Sequence, residues 1–259
     1  MEREVEVKPL IRVAYTLKQT KLVVVTDSPE AVKVAVRTVK AHRETLERYV
    51  KRNPSFLRSL EPVEVSGDAP EVVRRMAEAG LKAGVGPMAA VAGALADLAV
   101  ERMLAKTRVA VVENGGEVSA NSEKPVTVGV LAGKSPLSGR IGFLLPKEEM
   151  PVGIGTSSGT TGHALSFGLA DAATVVAADA ALADAAATAV GNVVRGDDAE
   201  RAVQAGLEVA ENIEGVRGAL VIMGDYAGLV GKLPRMVRVE GDIGKYVKSV
   251  EEYLPPRIL

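Results

Sequence analysis

The sequence has 259 residues and is 47% hydrophobic, so we expect one domain spanning residues 1–259 with a large buried core. The 32 Lys and Arg residues nearly balance the 33 Asp and Glu residues, which argues against binding to nucleic acid or to an anionic membrane. Cysteine is absent, which excludes disulfides, thiolate nucleophiles, zinc–thiolate sites and iron–sulfur clusters.

The start of the chain predicts a β-hairpin followed by a long helix. Leu10–Leu17 and Lys21–Thr26 are largely apolar and flank a short polar segment, which is the pattern of two paired strands. Ser28 and Pro29 then form a helix-start signal, because serine caps a first turn and proline suits its first position. The helix continues over Glu30–Lys51, with apolar side chains on one side and charges on the other.

The middle of the chain alternates between helical patterns and short apolar runs. One predicted helix ends at Gly80, and the next is almost uncharged, which predicts a central position in the core. A glycine-rich turn separates two predicted strands. The predicted elements of this part are helix Glu71–Ala79, helix Met88–Leu104, strand Arg108–Val112, turn Asn114–Gly116 and strand Val126–Leu131.

The second half repeats this mixture of helices and strands. Asp179 is an N-cap candidate for an alanine-rich helix. The whole pattern predicts an α+β fold, in the sense of a mixed α/β protein. The predicted elements here are the glycine-rich loop Gly153–His163, strand Ala173–Ala177, helix Ala180–Val193, helix Asp198–Ile213, strands Ala219–Met223 and Met236–Val239, and the tail Gly241–Leu259.

Two features bear on internal repetition and on cellular location. The tetrapeptide Ala-Leu-Ala-Asp occurs at Ala94–Asp97 and again at Ala181–Asp184, which suggests pseudo-duplicated strand–helix units. The apolar run Leu169–Val194 is interrupted by aspartates, which argues against a membrane crossing. Residues 1–6 are charged and unlike a signal peptide, so we expect a cytoplasmic protein, and we expect a homodimer at this size.

The segment Gly153–His163 combines glycines with hydroxyl side chains, and both kinds of residue suit binding of phosphate or another anion. Glycine lets backbone N–H groups turn toward a ligand, and the hydroxyls add further donors. His163 could exchange a proton near neutral pH. The alternative is a polar surface loop. The candidate binding residues are Gly155, Thr156, Ser157, Ser158, Gly159, Thr160, Thr161 and Gly162.

Asp184 and Thr188 lie four residues apart on a predicted helix, so their side chains project from the same face. A carboxylate and a hydroxyl offer hard oxygen ligands for Mg²⁺, with water and a substrate phosphate completing the coordination. The alternative is that Thr188 bonds back to the Asp184 carbonyl while Asp184 faces solvent. Spacing alone leaves both interpretations open.

A serine hydrolase is a further hypothesis. Ser157 or Ser158 could act with His163 and with Asp171 or Asp179, since such a triad is assembled in space and not in sequence. The strand-to-helix motif Gly-x-Ser-x-Gly does not occur in the chain.

Several of these segments together resemble the ApbE superfamily of FAD-dependent FMN transferases, in particular a branch found in archaea and bacteria. Gly155–Ser158, His163 and the block Ala173–Thr188 carry the resemblance, which extends in patches over Gly84–Asn192. Met88–Asp97 is similar to a family helix start, and Gly115-Gly116-Glu117 resembles the family's Gly-Gly-Asp turn.

The resemblance implies an ApbE-like fold and FAD or FMN as substrate or ligand. Asp184 and Thr188 then match the family's Mg²⁺ ligands and His163 matches its histidine. By the same resemblance the cofactor-binding set gains Gly93, Asp97, Gly115 and Gly116.

Two functional hypotheses follow from the resemblance. The first is an enzyme that binds a nucleotide or flavin phosphate with Mg²⁺ and transfers FMN from FAD to a protein hydroxyl. The second is a non-catalytic binding or assembly protein with the same fold. The second is favoured by Ala92, which replaces a family lysine, and by Ala164-Leu165-Ser166, which replaces Ile-Asp-Pro after the histidine.

Overall fold

The computed structural model describes residues 10–160, 167–239 and 248–249, which form an α+β fold of helices on a large sheet with a small sheet behind it. The helices are α1 (Pro29–Arg52), α2 (Pro54–Arg58), α3 (Glu71–Ala83), α4 (Val91–Met103), α5 (Ala180–Val193) and α6 (Ala199–Glu211). The strands are β1 (Ile11–Leu17), β2 (Thr20–Thr26), β3 (Val109–Asn114), β4 (Glu117–Ser122), β5 (Val126–Gly129), β6 (Ile141–Leu145), β7 (Val152–Ser157), β8 (Ala172–Ala177), β9 (Val216–Met223), β10 (Tyr226–Gly231), β11 (Arg235–Arg238) and β12 (Lys248–Ser249).

The large sheet has nine strands in the order β10-β9-β8-β7-β4-β3-β2-β1-β12, and all its pairs are antiparallel except β1 with β12. It consists of two halves that meet where β4 pairs with β7. Each half contains two strands, then helices, then two strands: β1 and β2 lead through α1 and α4 to β3 and β4, and β7 and β8 lead through α5 and α6 to β9 and β10. This order agrees with the predicted duplication.

The repeated tetrapeptide does not mark equivalent positions of those halves. It lies on α4, which leads into the last two strands of the first half, and on α5, which follows the first two strands of the second half. The repeated tetrapeptide therefore does not reflect the duplication; it is explained by the contact between α4 and α5.

Both faces of the large sheet are covered near its centre. On one side α5 and α6 pack on β7 to β10, α1 and α4 pack on β1 to β4, and α3 lies on α4 and α5. On the other side lies the three-stranded sheet β11-β6-β5. Its Phe143 and Leu145 are fully buried in a cluster with Val152, Ile154 and Leu220.

The hairpin and the first long helix are confirmed. β1 pairs with β2, and the Ser28 hydroxyl accepts a hydrogen bond from the Ala31 N–H at 3.3 Å, as an N-cap does. The alanine-rich helix α5 begins and ends at the predicted residues, with the Asp179 carboxylate accepting from the Leu182 N–H at 2.8 Å.

Two helix boundaries differ from the prediction. The helix predicted to end before Gly80 continues to Ala83, because the left-handed C-cap is Gly84, with a φ of 68°. Gly80 lies inside α3, where a Cβ would fall 2.8 Å from the Val85 carbonyl oxygen. The predicted helix Met88–Leu104 begins as a 3-10 turn, Pro87–Ala90, which precedes α4.

Several strands were not predicted, namely β4, β6 and β10, and the predicted strand Val126–Leu131 is the shorter β5 of the small sheet. In β4 the buried Val118 and Ala120 alternate with Glu117 and Ser119, which are also buried. Four of the six residues of β4 are polar although none is exposed, and this hid the strand pattern.

The prediction of a loop beginning at Gly153 is wrong for its first half, which is strand β7. Gly153 is paired with Ser119 on one side and with Ala177 on the other, so this backbone is central in the sheet. Its glycines allow α5 to lie directly on the strand: a Cβ at Gly153 would fall 2.1 Å from the Asp179 carbonyl carbon. The glycine-rich composition of this segment resembles that of a loop, but its glycines leave room for α5 to pack on the strand.

No single helix among the described residues is long and apolar enough to cross a membrane. α3 and α4 reach the required length only together with the 3-10 turn between them, and this pair is bent by 107°.

We expect Gly153→Ala to destabilise the protein by about 2–3 kcal/mol or more, because the new methyl group overlaps the backbone of α5. Gly67→Ala is the matched control, since a Cβ there meets no heavy atom within 4 Å. The free energies of unfolding would be compared by urea titration. Equal stability of the two variants would contradict the tight contact between β7 and α5.

Candidate functional site

The candidate site lies where the first turns of α4 and α5 touch. A Cβ at Gly93 would fall 2.1 Å from the Ala180 carbonyl oxygen, so the two backbones are in direct contact. Only glycine permits this approach, because any side chain would separate the helices. The contact brings the aspartates at the ends of the two tetrapeptides close to the facing helix.

Asp97 of α4 binds the start of α5. Its carboxylate accepts hydrogen bonds from the N–H groups of Ala180 at 3.0 Å and Ala181 at 2.9 Å. The Ser119 hydroxyl donates a third bond at 2.7 Å. Asp97 therefore satisfies free N–H groups at a helix start, where the helix dipole also favours negative charge.

Asp184 of α5 binds the start of α4 in the same way. Its Oδ2 accepts from the Gly93 N–H at 2.9 Å, and the Ala92 N–H also donates to this carboxylate. The N-cap residue of α4 is Ala90, which has no polar side chain to cap its own helix. Asp184 supplies that missing acceptor from the neighbouring helix.

Glu117, at the start of β4, is the second carboxylate near Asp184. It is 9% exposed, and its side chain accepts a hydrogen bond from the Thr156 N–H of β7. None of the ion pairs among the described residues involves Glu117 or Asp184. Two acidic groups therefore lie together without a basic partner in the described part of the chain.

Burial raises the pKa values of all three carboxyl groups. It raises the pKa of Asp97 to about 6, and it raises the pKa of Glu117 to about 7 with a further contribution from the charge of Glu113. The pKa of Asp184 lies well above its ordinary value because of burial first and repulsion from Glu117 second. The raised pKa values of Glu117 and Asp184 favour the protonated forms of these two groups, and a bound cation could replace such protons.

Strand β7 runs close to the part of α5 that carries Asp184 and Thr188. A Cβ at Gly155 would fall 2.6 Å from the Asp184 nitrogen, and the Ser157 hydroxyl lies 3.1 Å from where a Cβ at Gly191 would be. β7 thus runs alongside α5 over these residues. Thr188 is half-buried one turn beyond Asp184 on the same face.

The described members of the predicted anion-binding segment bond to neighbouring protein groups. Thr156 shares a hydrogen bond with Thr174 at 3.0 Å, and the Thr160 hydroxyl donates to Asp171 at 2.9 Å. The Gly159 N–H donates to the Ala170 carbonyl at 2.9 Å. These bonds shape the segment, and its binding of an anion stays a prediction. Outside the described residues lie Thr161, Gly162 and His163.

The acids of the hypothetical serine triad have structural partners. Asp179 caps α5, and Asp171 accepts from Thr160 and from the Gly224 N–H at 2.8 Å. Asp179 lies at the start of α5, whereas Ser157 lies beside its last turn. The described residues therefore give no support to the serine hydrolase hypothesis.

The turn formed by Gly115 and Gly116 joins β3 to β4, with φ values of 70° and 122°. It places Asn114 and Glu117 on the two sides of the turn, where Asn114 bonds to the start of α4 and Glu117 lies near Asp184 of α5. Sequence reasoning singled out the glycines and missed the two polar side chains. The Gly-Gly-Glu pattern was a signal for Glu117, but Asn114 gave none.

The chain was compared with known families and sequences. A family model described as AbpE bacteria matches residues 5–212. A UPF0280 protein of Methanococcus maripaludis is 47% identical over 162 residues, covering 61% of this chain and 66% of that protein. One from Methanosarcina acetivorans is 42% identical over 168 residues, covering 64% and 66%. The matches thus span slightly less than two thirds of these relatives.

Solved structures share the fold at low sequence identity. The flavin transferase ApbE of Vibrio cholerae superimposes with a TM-score of 0.54 at 12% identity, over 86% of this chain and 96% of that one. The ApbE protein of Thermotoga maritima gives 0.52 at 16%, over 90% and 97%. The apo flavinyl transferase ApbE of Pseudomonas stutzeri gives 0.51 at 14%, over 86% and 94%.

We expect Asp97 to make the protein less stable as pH rises. Its folded pKa of about 6 exceeds the ordinary value of 3.8, so the folded state binds the proton more tightly. This stabilisation is complete below pH 3.8 and is lost as pH rises through 6. Between pH 4 and 7 the wild type should lose up to about 3 kcal/mol relative to Asp97→Asn.

The measurement is urea unfolding of both proteins across that pH range. Asp198→Asn makes the same change at the exposed cap of α6 and is the control for replacing a capping carboxylate by an amide. A constant difference between wild type and Asp97→Asn at every pH would refute the assignment.

Proposed function

The chain belongs to the AbpE bacteria family, and on that basis we propose that it binds a flavin nucleotide beside Asp184, where the first turn of α4 meets α5. The resemblance to ApbE proteins, first drawn from motifs, is confirmed by the family model and by the shared fold. The solved relatives are flavin transferases, and that activity is proposed for this chain from their example.

The observation that carries the proposal is the pair formed by Asp184 and Glu117. Asp184 is held in one orientation by backbone N–H groups, and Glu117 lies near enough to raise its pKa. An oriented carboxylate pair without a basic partner creates a local excess of negative charge. A divalent cation is the simplest ligand that removes this excess, and a nucleotide pyrophosphate commonly brings one.

The donor set suits Mg²⁺ in kind. Asp184, Glu117 and Thr188 offer two carboxylates and a hydroxyl, which are the hard oxygen ligands this ion prefers. Within the described residues, no cluster of three or more acidic or histidine side chains could hold a metal by itself. Mg²⁺ often binds through one or two carboxylates and takes its other ligands from water and substrate phosphates. Asp184 and Thr188 would hold the ion, with Glu117 beside them.

In FMN transfer, the oxygen of an acceptor hydroxyl attacks the phosphorus of the FMN moiety of FAD. The phosphorus–oxygen bond to the AMP moiety breaks, AMP leaves with the bonding electrons, and the hydroxyl proton passes to a base. Bound Mg²⁺ would neutralise charge on the pyrophosphate. We assign the base to His163, and we assign contacts with the flavin nucleotide to Gly115, Gly116 and Ser158–Gly162.

A second candidate is a flavin-binding protein without transferase activity. Ala92, where the family has a lysine, lies in the first turn of α4, and its N–H donates to Asp184. The side chain at this position can therefore supply no positive charge beside the bound phosphates. Binding would survive this loss, because the backbone N–H groups and the carboxylates are still present, whereas the transfer step would slow.

We expect FAD to bind in the presence of Mg²⁺, and Asp184→Asn to weaken that binding by about 10- to 100-fold or more. Asparagine can still accept from the Gly93 N–H through its carbonyl oxygen, so the helix contact is largely kept while the charge is removed. Isothermal titration with FAD, with and without Mg²⁺, measures the effect.

Glu101→Gln is the matched control, because it also removes one negative charge from the pair of helices α4 and α5. Glu101 is exposed and pairs with Arg75, away from Asp184. The absence of any heat with FAD and Mg²⁺ in the wild type would contradict the proposed function. Release of AMP from bound FAD, measured by chromatography, would indicate a transferase. Binding of FAD without AMP release would indicate a flavin-binding protein.

A further inference from the structure

The side chain of Asn114 is nearly inaccessible, with 4% exposure, although it stands at the end of β3 next to a surface turn. Its Nδ2 donates a hydrogen bond to the Ala92 carbonyl oxygen at 3.0 Å. This bond links the turn between β3 and β4 to the first turn of α4. Asn114 faces Glu117 across the β3–β4 ladder.

The peptide unit that receives this bond also holds Asp184. The Ala92 carbonyl and the Gly93 N–H belong to the same peptide group, and that N–H donates to Asp184 Oδ2 at 2.9 Å. The chain of bonds thus runs from the Asn114 amide through one peptide group to the Asp184 carboxylate. This peptide group is therefore hydrogen-bonded through both its carbonyl oxygen and its N–H.

Two physical effects follow from this arrangement. A donor on the carbonyl draws electrons toward oxygen and makes the N–H of the same peptide a better donor, so the two bonds strengthen each other. The bond from Asn114 to the Ala92 carbonyl also fixes the direction of the Gly93 N–H. The Gly93 N–H is one of the free donors at the start of α4, and Ala90 has no polar side chain to cap it, so the partners of this peptide outside α4 help to fix its direction.

We propose that Asn114 is a positioning residue for Asp184: by fixing the Ala92–Gly93 peptide, it orients the carboxylate that takes part in binding the cation. This inference rests on the function proposed above for Asp184. Asn114 itself touches neither the cation nor the flavin nucleotide. If Asn114 served only to satisfy a buried carbonyl, its loss would lower stability without changing the site.

The test compares Asn114→Leu, which keeps the volume but removes the donor, with Ser122→Ala. Ser122 is the matched control, because it is 2% exposed and its hydroxyl donates to the Lys124 carbonyl at 2.7 Å, at the far end of β4. Both variants lose a partly buried bond from a side chain to a backbone carbonyl, and Ser122→Ala also loses the bond that its hydroxyl accepts from the Lys124 N–H at 3.0 Å. Only Asn114→Leu loses the bond on the peptide that holds Asp184.

The first measurement is the Gly93 N–H signal of the full chain labelled with ¹⁵N-glycine. In Asn114→Leu we expect an upfield shift of this proton and hydrogen exchange faster by about tenfold or more, as for a weakened bond. The second is the affinity for Mn²⁺ alone, followed by electron paramagnetic resonance. We expect it to fall by about 10-fold or more in Asn114→Leu, which is the usual effect of losing such a supporting bond. In Ser122→Ala both quantities should equal those of the wild type.

An unchanged Gly93 signal in folded Asn114→Leu would overturn the inference, and so would equal Mn²⁺ affinities in the wild type and this variant. Asn114→Ser replaces Asn114→Leu if the latter does not fold, because the shorter hydroxyl does not span the distance to Ala92. If the wild type binds neither Mn²⁺ alone nor FAD with Mg²⁺, the proposed function fails. The Gly93 signal still decides whether Asn114 holds the peptide that orients Asp184.

Discussion

The structure depends on a reciprocal exchange of hydrogen bonds, in which an aspartate on each of two touching helices accepts from the start of the other helix. Asp97 on α4 accepts from the first turn of α5, and Asp184 on α5 accepts from the first turn of α4. Each carboxylate loses water on burial, and the N–H groups and dipole of the facing helix offset part of that loss. The pair also explains why one tetrapeptide occurs twice although α4 and α5 are not equivalent in the duplicated fold. Replacing either aspartate by a residue without a side-chain acceptor would leave donors of the other helix without a partner.

The exchange requires close backbone contacts that only small residues allow. Gly93 lets α4 touch α5, and Gly153 and Gly155 let α5 rest directly on β7. The helix therefore lies nearer to the sheet than side chains would permit, and Asp184 comes within electrostatic reach of Glu117 on β4. The close packing of α5 and the raised pKa of Asp184 thus depend on the same glycines. A single methyl group at any of these positions would move the carboxylate away from its donors as well as disturb the core.

Local signals predicted α5, its cap and the pair Asp184 and Thr188, because a capping aspartate, an alanine run and a four-residue spacing depend only on the helix itself. The same reasoning mistook β7 for a loop. A glycine in a strand and a glycine in a loop look alike in sequence, and the difference here is a helix that lies more than twenty residues downstream in the chain. Glu117 and Asn114 were missed for a related reason. The partner of Asn114 is the start of α4 and the partner of Glu117 is Asp184 on α5, and neither partner is encoded in β3 or β4, although the Gly-Gly-Glu pattern did mark the position of Glu117.

The charge at position 184 is more than the helix contact needs. One neutral acceptor, such as an asparagine carbonyl, would satisfy the Gly93 N–H, and it would avoid both the desolvation of a carboxylate and its repulsion from Glu117. Instead, two acidic groups with raised pKa values stand together, and each ionisation at neutral pH lowers the stability of the fold. Such an arrangement is stable in its charged form when a cation lies between the groups. The excess negative charge, which packing does not explain, therefore supports a cation-dependent ligand site over a purely structural role for this helix pair.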